Sequence, residues 1–388
     1  MFVMDETTLG LQSLAREVRS TFGSTVAGIT GSVGKTTTRA MVTASLAAGG
    51  EVGGTSGNRN NHLGVPLTIL NLSGTEKYIV IEMGANHLHE IRELCGIAYP
   101  EIGLITNIGE AHIGEFGSAE NIQKGKGELF EWLRVNEGIA VVNLDDEKVI
   151  EVAMDNEHKV GYTLDDPPLD FNGAIYAGRV TELDAWSRAT LMVEGMTVKL
   201  ALPGRQFAHG ALAAYATAVE AGVDPESALT ALATVEPLEG RGRIVTLADG
   251  IEVLDDAYNA GGPSIEAALT TLARREGQRI AVLGDVHELG AYEEELHRSF
   301  GRMPVLDDID LVYFVGERMA WAAEEAELMG HPGAIRVNAD AIEQLPERIG
   351  ELIEPGAGIV VKGSRAMRME RVVRGLETLH GSDTEGSA

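Results

Sequence analysis

The chain has 388 residues, 44% of them hydrophobic, enough for two or three domains with buried cores. Its 31 Lys and Arg stand against 59 Asp and Glu, a formal charge of −28, so the surface repels nucleic acid and anionic membranes. The single cysteine, Cys95, excludes an intramolecular disulfide and fits a reducing compartment.

The N-terminal residues, MFVMDE, are acidic and have neither the basic start nor the apolar stretch of a signal peptide. No apolar run approaches the ~18 residues that span a bilayer, so a cytoplasmic protein is expected. A short apolar run at 26–29 leads into 30–38, TGSVGKTTT, and then into a segment of helical periodicity at 39–48. Gly31 and Gly34 let the backbone fold tightly enough to aim several N–H groups at one phosphate. Lys35 adds a mobile positive charge, and the neighbouring hydroxyl of Thr36 can ligate Mg²⁺. The strict spacing of such loops would put glycine at position 29, which is Ile29, yet the strand–loop–helix context is intact. The stretch predicts binding of ATP or a close relative.

Strand-like runs rich in Val and Ile follow at Tyr78–Glu82, 102–106, Ile139–Asn143, 251–255, Arg279–Gly284, Leu311–Val315 and 359–362. Helix-like segments, as at 210–221, 264–275 and 293–303, separate most of them, which predicts an α/β protein with mainly parallel sheets. Between about 173 and 202 shorter alternating segments predict a β-rich insertion. The stretch 239–243, EGRGR, is the best domain boundary, and the polar tail 381–388 is expected to be disordered. Polar residues fall at strand ends, where open α/β sheets place their sites. Glu82 closes the run at 78–82 and could hold a Mg²⁺ that bridges ATP phosphates. Asn107 follows the next run, with His112 five residues on.

These segments spell a family. The loop at 30–38, GNRNNHLGVP at 57–66, IEMGAN at 81–86, ITNIGEAH at 105–112 and KGKGELF at 124–130 resemble the Mur ligases, most closely those of the MurF type. DDAYNA at 255–260, VLGDVHELG at 282–290 and VKGSRAMRME at 361–370 continue the likeness in the family's order. The resemblance implies a central P-loop ATPase domain with a mainly parallel sheet at 23–241 and a C-terminal Rossmann-like α/β domain at 242–380. It implies ATP-dependent, ADP-forming amide synthesis through an acyl phosphate, most closely the addition of D-Ala-D-Ala to a UDP-N-acetylmuramoyl-tripeptide in peptidoglycan synthesis. By the same resemblance Thr30, Gly31, Ser32, Gly34, Lys35, Thr36 and Thr37 bind ATP, and Thr36 and Glu82 hold one Mg²⁺. His112 and a carbamylated Lys126 hold a second, and Asn58 lies near the transferred phosphoryl group. Asp256 would meet the ribose and Arg241 the phosphates or hinge, while Tyr258, Asn259, Lys362, Ser364 and Arg365 would help receive the second substrate.

The chain also departs from the pattern. Ligases of this type begin with a domain that grips the uridine nucleotide, whereas only 29 residues precede Thr30. The segment 1–22 reads as the linker after such a domain, so a separate uridine-binding domain or protein is a possible partner. Gln206, Phe207 and Gly210 stand where the family has a histidine and two asparagines around the adenine, and 261–263, GGP, replaces Asn-Pro-Asp. Two other readings therefore remain open: joining an amine to a non-UDP-linked acid in specialised metabolism, or a non-catalytic ATP-binding paralogue. Retention of Lys35, Glu82, His112 and Lys126 argues against the last.

Overall fold

A computed structural model describes residues 6–109 and 113–381. Its packing divides the chain into two compact units. Among the described residues, the first comprises 6–109, 113–182, 190–200 and 207–235, and the second 183–189, 201–206 and 236–381.

In the first unit, among the described residues, nine strands form one sheet: β1 (Thr25–Thr30), β2 (Val52–Gly54), β3 (Tyr78–Glu82), β4 (Ile102–Ile105), β5 (Ile139–Asn143), β6 (Lys159–Thr163), β7 (Ala174–Leu183), β8 (Ala189–Val193) and β9 (Met196–Lys199). Their order is β2-β3-β1-β4-β5-β6-β7-β8-β9. The pairings from β2 through β7 are parallel, and β8 with β9 closes the edge as an antiparallel pair. A parallel strand covered on both faces reads as a continuous apolar run, and β3 is buried along its whole length. The insertion expected at 173–202 is the β7–β9 extension of this sheet.

Residues 7–20, within the segment expected to be linker-like, form a helix, Thr7–Ser20. Its inward residues are Gly10, Gln12, Ala15 and Arg19, while Leu9 and Leu14 are exposed. The Arg19 guanidinium donates to Ala98 O at 2.9 Å, Phe22 O at 3.1 Å and Glu101 Oε1 at 3.1 Å, so the helix is fixed by polar anchoring.

In the second unit, among the described residues, six strands form a sheet: β10 (Arg243–Thr246), β11 (Glu252–Asp256), β12 (Arg279–Gly284), β13 (Leu311–Val315), β14 (Ala334–Val337) and β15 (Gly358–Lys362). The order is β10-β11-β15-β12-β13-β14, parallel except for the β10–β11 edge pair. The interior strand β15 is buried throughout. Trp186 is also buried in this unit, its indole N–H donating to Glu252 Oε2 at 3.0 Å beneath the Arg275 guanidinium. No helix of the described residues is long and apolar enough to cross a membrane. Residues 382–388, most of the tail expected to be disordered, lie outside the described residues.

Candidate active site

Strand β1 ends at Thr30, and the chain turns through 31–34 into the helix Lys35–Ala47. Gly31 has φ 145° and Gly34 φ 84°, both in the region that side chains resist. Space also demands glycine, since a Cβ on Gly31 would lie 1.9 Å from Thr106 Oγ1. The loop is fastened to the end of β4. Ser32 N donates to Asn107 O at 3.0 Å, and Val33 N donates to Asn107 Oδ1 at 3.0 Å. Asn107 Nδ2 donates to Val33 O at 2.9 Å, as does Thr106 Oγ1 at 2.7 Å. The result is a rigid turn at a helix N-terminus, where backbone N–H groups and the helix dipole favour an anion. The Lys35 ammonium donates to Gly31 O at 2.6 Å and Ser32 O at 3.3 Å, which keeps it over the loop.

Glu82 ends the buried strand β3 and is itself 2% exposed. Its Oε1 accepts from Thr36 Oγ1 at 3.2 Å and Asn60 Nδ2 at 2.9 Å. Its Oε2 faces the Arg39 guanidinium at 3.5 Å and accepts no hydrogen bond. A buried carboxylate with one oxygen free of hydrogen bonds and a threonine hydroxyl on the other belongs to the oxygen donor set of a hard cation, and the residues present fit Mg²⁺. Among the described residues no group of three His, Cys, Asp or Glu side chains could hold a metal by itself. His112 lies outside the described residues.

Lys126 sits mid-helix in Ala119–Val135, 1% exposed, with its Nζ 5.7 Å from the centre of the Phe116 ring. Burial, helped by the Lys35 charge, pushes its ammonium well below the ordinary lysine range. Asn58 is exposed in the loop after β2, where its carbonyl accepts Asn60 N at 2.8 Å. Thr37 is buried in the first turn of the Lys35–Ala47 helix. Gly210 has a packing reason of its own. A Cβ there would lie 2.9 Å from Thr38 Oγ1 and 3.2 Å from Met41 Sδ, so a side chain would force those two residues of the phosphate-loop helix to shift.

The second unit gathers its own cluster at the carboxyl ends of β11 and β15. Asp256 and Lys362 are register partners across these strands and form an ion pair. Lys362, 3% exposed, also donates to Asn259 O at 3.1 Å. The Arg241 guanidinium lies 4.0 Å over the Tyr258 ring, and that of Arg365 lies 5.4 Å from the same ring. Tyr258 N donates to Gly240 O at 2.9 Å, which fixes the turn that carries Arg241. The buried Asp255 accepts Gly240 N at 3.2 Å, and burial holds its carboxyl above the usual range. Ser364 N donates to Asp285 O at 3.0 Å, and Ser364 Oγ accepts from His287 N at 2.9 Å.

The structure thus brings Thr30–Thr36 to Glu82 in one unit, and Arg241, Asp256, Tyr258, Asn259, Lys362 and Arg365 together in the other. Sequence reasoning did not single out Arg39 or Asn60 beside Glu82. The available signal for Arg39 was its place three residues after Thr36, on the same helix face.

Residues 29–218 match the family model of the Mur ligase middle domain, and residues 240–365 that of the Mur ligase, glutamate ligase domain. The UDP-N-acetylmuramoyl-tripeptide–D-alanyl-D-alanine ligase of Escherichia coli (strain K12) is 35% identical over 378 residues, which covers 97% of this chain and 82% of that protein. Its namesake from Bacillus subtilis (strain 168) is 32% identical, covering 97% of this chain and 81% of that protein. Among solved structures, MurF from Acinetobacter baumannii superposes with a TM-score of 0.84 at 29% identity, covering 97% of this chain and 82% of that one. A MurF ligase from Thermotoga maritima in complex with ADP gives a TM-score of 0.84 at 27% identity, covering 97% of this chain and 85% of that one.

Proposed function

The chain belongs to the Mur ligase family, and from that premise we propose that it adds D-Ala-D-Ala to UDP-N-acetylmuramoyl-tripeptide with conversion of ATP to ADP and phosphate. The observation that carries the reading is the phosphate loop 30–36, braced by Asn107, with the incompletely bonded Glu82 carboxylate beside it.

In this reaction the terminal carboxylate of the tripeptide attacks the γ-phosphorus, the bond to ADP breaks, and an acyl phosphate forms. The amine of D-Ala-D-Ala then attacks the acyl carbon, loses a proton, and inorganic phosphate departs with the bonding pair. Phosphoryl transfer of this kind needs positioning and charge neutralisation more than covalent help from the protein. Gly31 and Gly34 shape the backbone so that its amides face the β- and γ-phosphates, and Lys35 spreads positive charge over them. Thr36 and Glu82 would hold one Mg²⁺, with Lys126 and His112 at a second; the cation, when bound, supplies positive charge to the phosphate oxygens. A protonated lysine cannot serve there. The near-complete burial of Lys126, which disfavours its ammonium form, supports its carbamylated form, a carboxylate on a long arm. Asn58 is assigned to the neighbourhood of the transferred group. In the second unit Asp256 is assigned to the ribose, Arg241 to phosphate, and Tyr258, Asn259, Lys362, Ser364 and Arg365 to the dipeptide.

The test is phosphate release by the purified chain with Mg·ATP. It should require both UDP-N-acetylmuramoyl-tripeptide and D-Ala-D-Ala, and should yield the pentapeptide product by mass. Release that ignores the muramyl substrate but responds to another carboxylic acid would replace this substrate assignment while retaining the ligase chemistry.

A further inference from the structure

The phosphate loop is braced from its far side by a group that the chemistry above does not use. After β5 the chain runs Asn143-Leu144-Asp145-Asp146 into the helix Glu147–Ala153. Asp146 divides its two oxygens. Oδ1 caps the helix, accepting Lys148 N at 3.0 Å and Val149 N at 3.2 Å. Oδ2 turns away from it and accepts Ile108 N at 2.9 Å. One residue further on, Gly109 N donates to Ser32 Oγ at 2.9 Å, and Ser32 Oγ donates to Gly109 O at 3.1 Å. Asn143 adds a second tie, its Nδ2 donating to Thr106 O at 2.9 Å while its Oδ1 accepts Asp145 N at 3.0 Å. Residues 106–109 are therefore clamped between the phosphate loop and the end of β5.

We propose that Asp146 is a positioning residue for the phosphate loop, acting through the 107–109 segment on Ser32 and Val33. The inference rests on the reading of 30–36 as the ATP phosphate site. Direction separates it from simple electrostatics. Removing a negative charge near the site should by itself tighten binding of a polyanion, whereas loosening a preorganised loop weakens it.

Asp146→Ser isolates the effect, because serine caps a helix about as well as aspartate but has one short hydroxyl and cannot also reach Ile108 N. Calorimetry with a non-hydrolysable ATP analogue should show a Kd about tenfold above wild type, with the melting temperature nearly unchanged and faster hydrogen exchange at Ile108 and Gly109. Asp224→Ala is the control. It removes the cap of the helix Pro225–Ala231, where Asp224 Oδ2 accepts Ser227 N at 2.9 Å, and should leave Kd unaltered. If the serine variant does not fold, Asp146→Asn, with one acceptor for two sets of donors, should show the same rise. An unchanged or lower Kd in a folded Asp146 variant overturns the proposal. Failure of the wild type to bind the analogue overturns the phosphate-loop reading beneath it.

Discussion

Strands β3 and β15 both end in a single buried charge, yet the two ends are finished in opposite ways. IVIE closes on Glu82 in the first unit, and GIVVK closes on Lys362 in the second. Glu82 is 2% exposed; its Oε1 accepts from the neutral donors Thr36 and Asn60, while its Oε2 meets the Arg39 guanidinium at 3.5 Å and accepts no hydrogen bond. Lys362 is 3% exposed and is engaged by the Asp256 carboxylate and the Asn259 carbonyl. A buried charge left short of partners is ready for a ligand of opposite sign. One already paired contributes to shape, and takes a ligand only by exchanging partners. The first unit is thus built to bind before anything else moves, and the second holds its charged side chains in reserve against one another.

The sharpest break of this contrast is Lys35→Ala. It removes the mobile charge from the phosphate site, so turnover should fall at least about 10³-fold while circular dichroism stays that of the wild type. Near-normal phosphate release from the folded variant would contradict the assignment. Lys126→Ala comes next, with a loss of roughly 10²-fold and partial recovery on adding acetate or another short carboxylate. Full activity without added acid would remove the carbamate from the mechanism.

Two substitutions test the frames themselves. Gly31→Ala places a Cβ against Thr106 Oγ1 at a φ of 145° and should cost about 3 kcal/mol in chemical unfolding of the first unit. Asp256→Ala strands the Lys362 ammonium with only the Asn259 carbonyl. The second unit should lose about 2 kcal/mol, reduced from a fully buried pair because Asp256 is 25% exposed. Asp256→Asn should recover part of that by returning a neutral acceptor. If the two unfolding costs came out reversed, the second unit's cluster would be the more rigid of the two.

Much of this was legible beforehand. The runs at Tyr78–Glu82, Ile139–Asn143, Arg279–Gly284 and Leu311–Val315 are strands with those bounds, because a parallel strand covered on both faces must be apolar from end to end. The edge strands β2 and β14 went unread, being short, half-buried and compositionally ordinary. The helix Thr7–Ser20 also escaped, since it buries Gly10, Gln12, Ala15 and Arg19 and exposes Leu9 and Leu14, the reverse of an apolar stripe. In the site, glycine spacing and strand-end position pointed to Gly31, Gly34, Lys35 and Glu82. Nothing local pointed to Asn143 or Asp146, whose partners lie 37 and 38 residues away.

The sequence alone therefore determined the alternation of strands and helices, the phosphate loop and the family. Each depends on local constraints, namely the period of burial, the φ values that only glycine tolerates, and residue order. Tertiary structure decided which polar groups meet. It set Asp256 opposite Lys362 through β-sheet register, left one oxygen of Glu82 without a hydrogen bond, and aimed Asp146 at both a helix and the strand-end segment that braces the loop. Those outcomes depend on distances of a few ångströms between residues far apart in the chain, and hydrogen bonds and ion pairs are decided at that scale.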